Sequence, residues 1–150
     1  MVNEQVVILD PIDPNEGLLQ GFQEFLHRQS QLSPDTHNML KVLPAILELQ
    51  AQKSAVYGRS YCRHGDLSIF LNIERKWDRI SNIMEGAMKA GTESLYSKGT
   101  PTEAFLDTVV DLASYSLLWV GYIMENHLEV YQEFLKSNKL NISDESSKSL

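Results

Sequence analysis

The sequence predicts an all-α fold, a bundle of four to five helices in a single domain. Apolar residues recur three and four positions apart through most of the chain, which is the spacing of helices that pack along one face. Two pairs, Ser33-Pro34 and Thr100-Pro101, combine a helix cap with a proline at the first helical position. At 150 residues the chain is long enough to bury about 70% of its unfolded surface, so it can form a core of its own.

The first two helices follow an N-terminal arm, residues 1–14, whose apolar run Val6–Leu9 is either an edge strand or a packed arm. We expect the first helix from Asn15 to Gln29. The second should run from Ser33-Pro34 to Tyr57. A kink or break is expected inside it at Pro44, because proline lacks a backbone donor.

The third and fourth helices follow a glycine-containing loop that ends at Asp66, a candidate cap. The third should span Leu67 to Lys89, and the fourth should run from the Thr100-Pro101 cap to about Lys136. A polar, serine-rich tail, residues 137–150, is expected to be disordered, so the helical domain covers residues 15–136. The apolar seams predicted to pack together are Phe70, Ile73, Trp77, Ile80, Met84 and Ala87 on the third helix, and Leu106, Val110, Ala113, Leu117, Val120 and Met124 on the fourth.

Composition excludes several classes of protein. A net charge of −7 and a pI near 5.0 argue against binding of nucleic acid polymers, which requires clustered cations, but leave free nucleotides open. The single cysteine, Cys62, favours a reducing cytosol. The acidic, proline-containing start does not resemble a secretory signal, and no apolar run is long enough to span a membrane. We therefore expect a cytoplasmic protein.

Carboxylates on the two long helices form a repeated pattern. Glu74 and Asp78 lie four residues apart, and Asp107 and Asp111 repeat this spacing. Each acid follows a seam residue by one position, so both pairs can point toward one edge of the helix contact. No lysine or arginine occurs between Gly99 and Leu135, so the charge that balances Asp107 and Asp111 must come from elsewhere. A hard cation such as Mg²⁺ would supply it, and solvated surface charge is the alternative.

These motifs resemble the all-α nucleoside triphosphate pyrophosphohydrolases, the MazG-like superfamily. The similar stretches are VYGRSY, LNIERKWDRI and TEAFLDTVVDLASYSLLW, which lie between Ala51 and Gly121. Within the superfamily, the small bacterial and phage group called nucleotide modification associated domain 1 is the most similar. The acid motifs depart from the usual Glu-Glu-x-x-Glu and Glu-x-x-Asp. The first keeps only Glu74 and Asp78, four residues apart, and the second is Asp-x-x-x-Asp.

The resemblance implies a helical bundle that assembles as a dimer or tetramer. It also implies Mg²⁺-dependent hydrolysis of a (deoxy)nucleoside triphosphate to a monophosphate and pyrophosphate. Carried over by motif position, the metal ligands would be Glu74, Asp78, Asp107 and Asp111, and Glu74 would also be the catalytic base that takes the proton of the attacking water.

Four further residues are candidates for binding the substrate: Arg59, Lys76 and Arg79 for its phosphates, and Tyr57 for its base. Surface salt bridges and core packing are the alternative roles of these side chains. Two other functions stay open. The first is a noncatalytic protein that binds or sequesters a nucleotide, which the thinner acid motifs favour. The second is a structural helical protein that oligomerises through its fourth helix.

Overall fold

The computed structural model of the chain describes residues 14–28, 32–96 and 102–140. Within these ranges every regular element is a helix, which confirms the all-α prediction. None of the helices described is long and apolar enough to cross a membrane. The Val6–Leu9 run, the Thr100-Pro101 cap and the segment 141–150 of the predicted tail lie outside the described residues.

Five α-helices follow one another along the chain, with short 3₁₀ helices at Ser60–Cys62 and Thr92–Tyr96. The first three lie within one residue of the predicted bounds. The helices are α1 (Pro14–Arg28), α2 (Pro34–Tyr57), α3 (Asp66–Ala90), α4 (Thr102–Asn126) and α5 (Leu128–Ser137). The α3–α4 pair forms the centre of the fold, α2 packs against α4, and α5 follows α4 after a single residue.

Helix α2 begins as predicted and passes its proline without interruption. The Ser33 hydroxyl accepts a hydrogen bond from the backbone N–H of Thr36 at 3.1 Å, which caps the first turn. Pro44 lies inside the helix and does not divide it. Pro44 is exposed to solvent. Water can therefore hydrate the backbone carbonyl that has no N–H donor because of the proline.

The predicted long fourth helix is two helices, α4 and α5, separated at His127. The backbone of His127 leaves the helical region, with φ −140° and ψ 55°. Just before it, the Asn126 side chain donates a hydrogen bond to the Tyr122 carbonyl, which is a local alternative to the helical pattern. The prediction was wrong because asparagine and histidine mark a helix end less clearly than glycine or proline does.

The buried face of the central pair coincides only in part with the predicted apolar seam, of which Ala87 is buried. On α3 the fully buried side chain is Ile69, whereas Trp77, assigned to the seam, is 61% exposed. On α4 the buried residues are the polar Thr108, Asp111 and Ser114. Four members of the predicted α4 seam are exposed instead: Leu106, Leu117, Val120 and Met124. Asp111 is therefore held inside the fold, where an ionised carboxylate needs partners.

Candidate functional site

The buried carboxylate of Asp111 is bound by lysines from two other helices. Lys53 of α2 contacts Oδ1, and Lys76 of α3 lies 2.5 Å from Oδ2. The side chains of Asp111 and Lys76 are 10% and 18% exposed, while that of Lys53 is 37% exposed. These contacts join α2, α3 and α4 through one side chain. They also supply the countercharge that the sequence of α4 lacks.

The ion pairs fix the charges of this cluster. Burial by itself would raise the pKa of Asp111, but hydrogen bonds from Lys53 and Lys76 outweigh it and hold the pKa below its ordinary value of 3.8. Burial would also lower the pKa of Lys53. The hydrogen bond and charge of Asp111 reverse that effect and raise the pKa above its ordinary value of 10.5. Asp111 and Lys53 are therefore both charged near neutral pH. Counted formally, the two lysines and Asp111 carry a charge of +1, and Asp107 lies close enough to act on Lys53 as a second negative charge.

Replacing Asp111 with asparagine should destabilise the fold by about 2–4 kcal/mol at pH 7, because it leaves two adjacent lysines without their carboxylate. The folded pKa of Asp111 is depressed, so its contribution is present above pH 3.8 and is lost as the pH falls further. Urea unfolding from pH 7 to pH 2 should show the difference between wild type and variant shrinking below about pH 4. Asp78→Asn, at an exposed site on α3, is the control. An unchanged difference across this range would contradict the prediction.

A pocket of about 450 Å³ opens above this cluster, and we call it the lysine pocket. Its lining combines three cations, three tyrosines and small polar side chains around Asp111. These residues are Lys53, Arg75 and Lys76; Tyr57, Tyr61 and Tyr115; and Gln50, Ser54, Gly58, Ser60, Asn72, Ser114 and Leu118. Burial raises the pKa of Tyr61, so its hydroxyl stays protonated and can donate a hydrogen bond. The volume lies within the range of small-molecule sites.

A second, more open pocket of about 650 Å³ adjoins the first, and we call it the acid-lined pocket. Glu74 and Asp78 line it together with Arg63 and His64, and it shares Ser60, Asn72 and Arg75 with the lysine pocket. Arg75 donates a hydrogen bond to the Asn72 side chain at this shared wall. The two pockets therefore form neighbouring parts of one polar surface on α3.

The structure separates the four carboxylates predicted as metal ligands. Asp111 faces the two lysines, and Glu74 and Asp78 lie in the acid-lined pocket. Asp107 is exposed and acts on Lys53 through its charge. Among the described residues, no three His, Cys, Asp or Glu side chains form a group that could hold a metal ion. The partners that the structure gives Asp111 are lysines of α2 and α3, which the sequence places far from α4.

The predicted substrate-binding residues are divided in the same way. Lys76 and Tyr57 line the lysine pocket. Arg59 lies in the loop after α2, where its guanidinium makes a bidentate ion pair with the exposed Glu125 of α4, with Nη1 2.8 Å from Oε1. This pair lowers the pKa of Glu125 and raises that of Arg59. Arg79 is exposed on α3.

The loop between α2 and α3 is attached to α4 at two further points. Trp119 donates its indole N–H to the carboxylate of Asp66, at 2.6 Å. Asp66 is thus the first residue of α3 and is bonded to α4. The cap position, predicted for Asp66, is occupied by Gly65. Gly65 has a φ of +64°, and a Cβ there would lie 3.2 Å from the Tyr122 hydroxyl, so both conformation and space favour glycine. These contacts hold Ser60 and Tyr61 at the pocket wall.

Lys53 is the residue at the centre of this pocket that the sequence did not single out. It is an isolated lysine of α2, one turn before Tyr57. Its position just ahead of the tyrosine-glycine loop was the available signal. Its pairing with a residue 58 positions away was not readable from spacing.

The chain is similar to a phage protein. The chain is 32% identical over 118 residues to the "Gene 30 protein" of Bacillus phage SP01, and the match covers 70% of this chain. The chain spans about half the length of that relative, 52%. No family model matches the chain. No solved structure matches it either.

Proposed function

We propose that the lysine pocket binds a nucleotide, with the phosphates placed against Lys53 and Lys76. The observation that carries this proposal is the pair of lysines from two helices that one buried carboxylate brings together at a pocket, in a chain of charge −7. Lysine ammonium groups are ordinary phosphate partners, and Arg75 adds a third cation to the lining. Tyr57 and Tyr115 supply aromatic surface for a base or sugar.

The second candidate function is Mg²⁺-dependent hydrolysis of a (deoxy)nucleoside triphosphate to a monophosphate and pyrophosphate. It is favoured by the position of Glu74 and Asp78 in a pocket that shares a wall with the lysine pocket. Proteins often bind Mg²⁺ through only one or two carboxylates, and water and substrate phosphates complete its coordination. Mg²⁺ would neutralise phosphate charge and activate water. Glu74 is the carboxylate we propose as the proton acceptor.

Pyrophosphate release and binding together separate these functions. Purified protein is incubated with canonical and modified nucleoside triphosphates, with and without Mg²⁺, and affinity is measured by calorimetry. Release that requires Mg²⁺ and is lost in Glu74→Gln, but kept in the exposed α3 variant Glu85→Gln, supports the hydrolase. Binding without release supports the noncatalytic binding protein. Neither binding nor release from any nucleotide would refute the proposal.

We also propose that the chain acts as a homo-oligomer, a dimer or tetramer, that associates through α4. Among the described residues, the buried apolar side chains are only Ile69, Ala87 and Leu95. The exposed α4 seam, Leu106, Leu117, Val120 and Met124, forms one helical face. Contiguous apolar surface of this kind is typical of protein interfaces.

The third function, a purely structural oligomer, would have this interface without nucleotide binding. The cytosol, where a lone cysteine stays reduced, is the location we propose.

A further inference from the structure

An apolar cleft continues the lysine pocket along α2 and α4. It has a volume of about 220 Å³, and its apolar lining consists of Ile46, Leu47, Leu117, Leu118 and Gly121. It shares Gln50, Tyr61, Ser114 and Leu118 with the lysine pocket, so the two spaces are neighbours along one groove. One end of this groove is cationic and the other is apolar.

The size and chemistry of the cleft fit part of a ligand better than a whole one. Whole-ligand pockets usually begin at roughly 300 Å³, which is more than the cleft provides. An anionic group bound by Lys53 and Lys76 would leave an attached flat, weakly polar group to fill the cleft. Nucleotides have this composition, with charged phosphates at one end and an aromatic base at the other.

Gly121 lines the cleft and leaves room in it. It lies within α4, and a Cβ built there meets no atom within 4 Å, so a side chain would extend into open space. Glycine costs an interior helical position about 1 kcal/mol relative to alanine. The sequence keeps this weak helix former at a position where any larger residue would reduce the volume of the cleft.

We infer that the apolar cleft beside Gly121 is the base subsite of the nucleotide pocket. This inference rests on the proposed function, since it assigns the base of the ligand whose phosphates meet the lysines. The subsite selects for a flat aromatic group, and Gln50 and Tyr61 at its junction with the lysine pocket offer polar atoms to the edge of that group.

Filling the cleft from within tests the inference. Gly121→Leu should weaken binding of the best nucleoside triphosphate by about tenfold or more, because the new side chain occupies the space of the base. Binding of inorganic tripolyphosphate, which has no base, should be unchanged. Gly121→Ala should have an intermediate effect. Gly86→Leu is the matched control, because Gly86 is an exposed glycine within α3 that also has no atom within 4 Å of a built Cβ.

Each other outcome contradicts the inference in a distinguishable way. Unchanged nucleotide binding in Gly121→Leu places the base elsewhere and leaves the proposed function intact. Equal loss of nucleotide and tripolyphosphate binding indicates a general disturbance of the pocket. The proposed α4 interface shares Leu117 with the cleft, so a change of oligomeric mass by sedimentation shows that the interface extends over Gly121 and that a second copy, instead of a base, fills the cleft. Failure of the wild-type chain to bind any nucleotide overturns both the proposed function and this subsite.

Discussion

Replacing Lys53 with methionine is expected to weaken nucleotide binding by about 10- to 100-fold, the effect of losing one charged hydrogen bond. Methionine keeps the length of the side chain, and Asp111 retains its contact with Lys76. The fold should therefore persist while the pocket loses one of its cations. Removing Lys53 also leaves the carboxylate of Asp111 less neutralised, which opposes a phosphate further.

Lys41→Met is the matched control for this variant. Lys41 is an exposed lysine on the same helix, α2, and does not line the lysine pocket. It removes the same charge from the chain and should leave the affinity nearly unchanged. Lys53→Arg should restore part of the binding, since it returns the charge. Calorimetric titration with a nucleoside triphosphate at two salt concentrations measures all four proteins. Wild-type affinity in Lys53→Met, or equal loss in Lys41→Met, would refute the assignment.

Placing a lysine at Val120 is expected to dissociate the proposed oligomer into monomers at micromolar concentrations. Val120 is 50% exposed in the isolated chain and belongs to the apolar α4 seam. In an interface it would be buried, and an unpaired buried ammonium costs several kcal/mol. Sedimentation equilibrium gives the mass, and circular dichroism shows whether the monomer keeps its helices.

Asn82→Lys adds the same charge at an exposed position of α3, outside the α4 seam, and should leave the mass unchanged. A monomeric wild-type chain, or an unchanged mass in Val120→Lys, would contradict association through α4. Because few apolar residues are buried in the described part of the chain, dissociation should also lower the midpoint of thermal unfolding.

The role of Asp111 differs from what its position in the sequence suggests. Two aspartates without nearby basic residues favoured a metal as countercharge, and the structure supplies two lysines for one of them. Asp111 is thus a positioning residue that holds Lys53 and Lys76 at the pocket. Mg²⁺ binding stays a prediction, and Glu74 and Asp78 in the acid-lined pocket are the carboxylates through which we would test it.

The sequence by itself determined the bounds of the first three helices, because helix formation depends on local signals. The Ser33 cap and the three- and four-residue spacing of apolar side chains placed α1, α2 and α3 within one residue of their observed bounds. The acid spacing on a helix without lysine or arginine also drew attention to Asp111, and the family resemblance named Lys76 and Tyr57 as candidate substrate-binding residues.

Only the tertiary structure decided which faces of those helices meet. Helix α4 is apolar on more than one side, so periodicity could not show that Thr108, Asp111 and Ser114 would be buried while Val120 stayed exposed. One of the two partners of Asp111 is a lysine 58 positions away on another helix, a contact that depends on how α2 packs against α4. Local spacing specifies a helix, but burial and charge pairing are set by which neighbour lies against it.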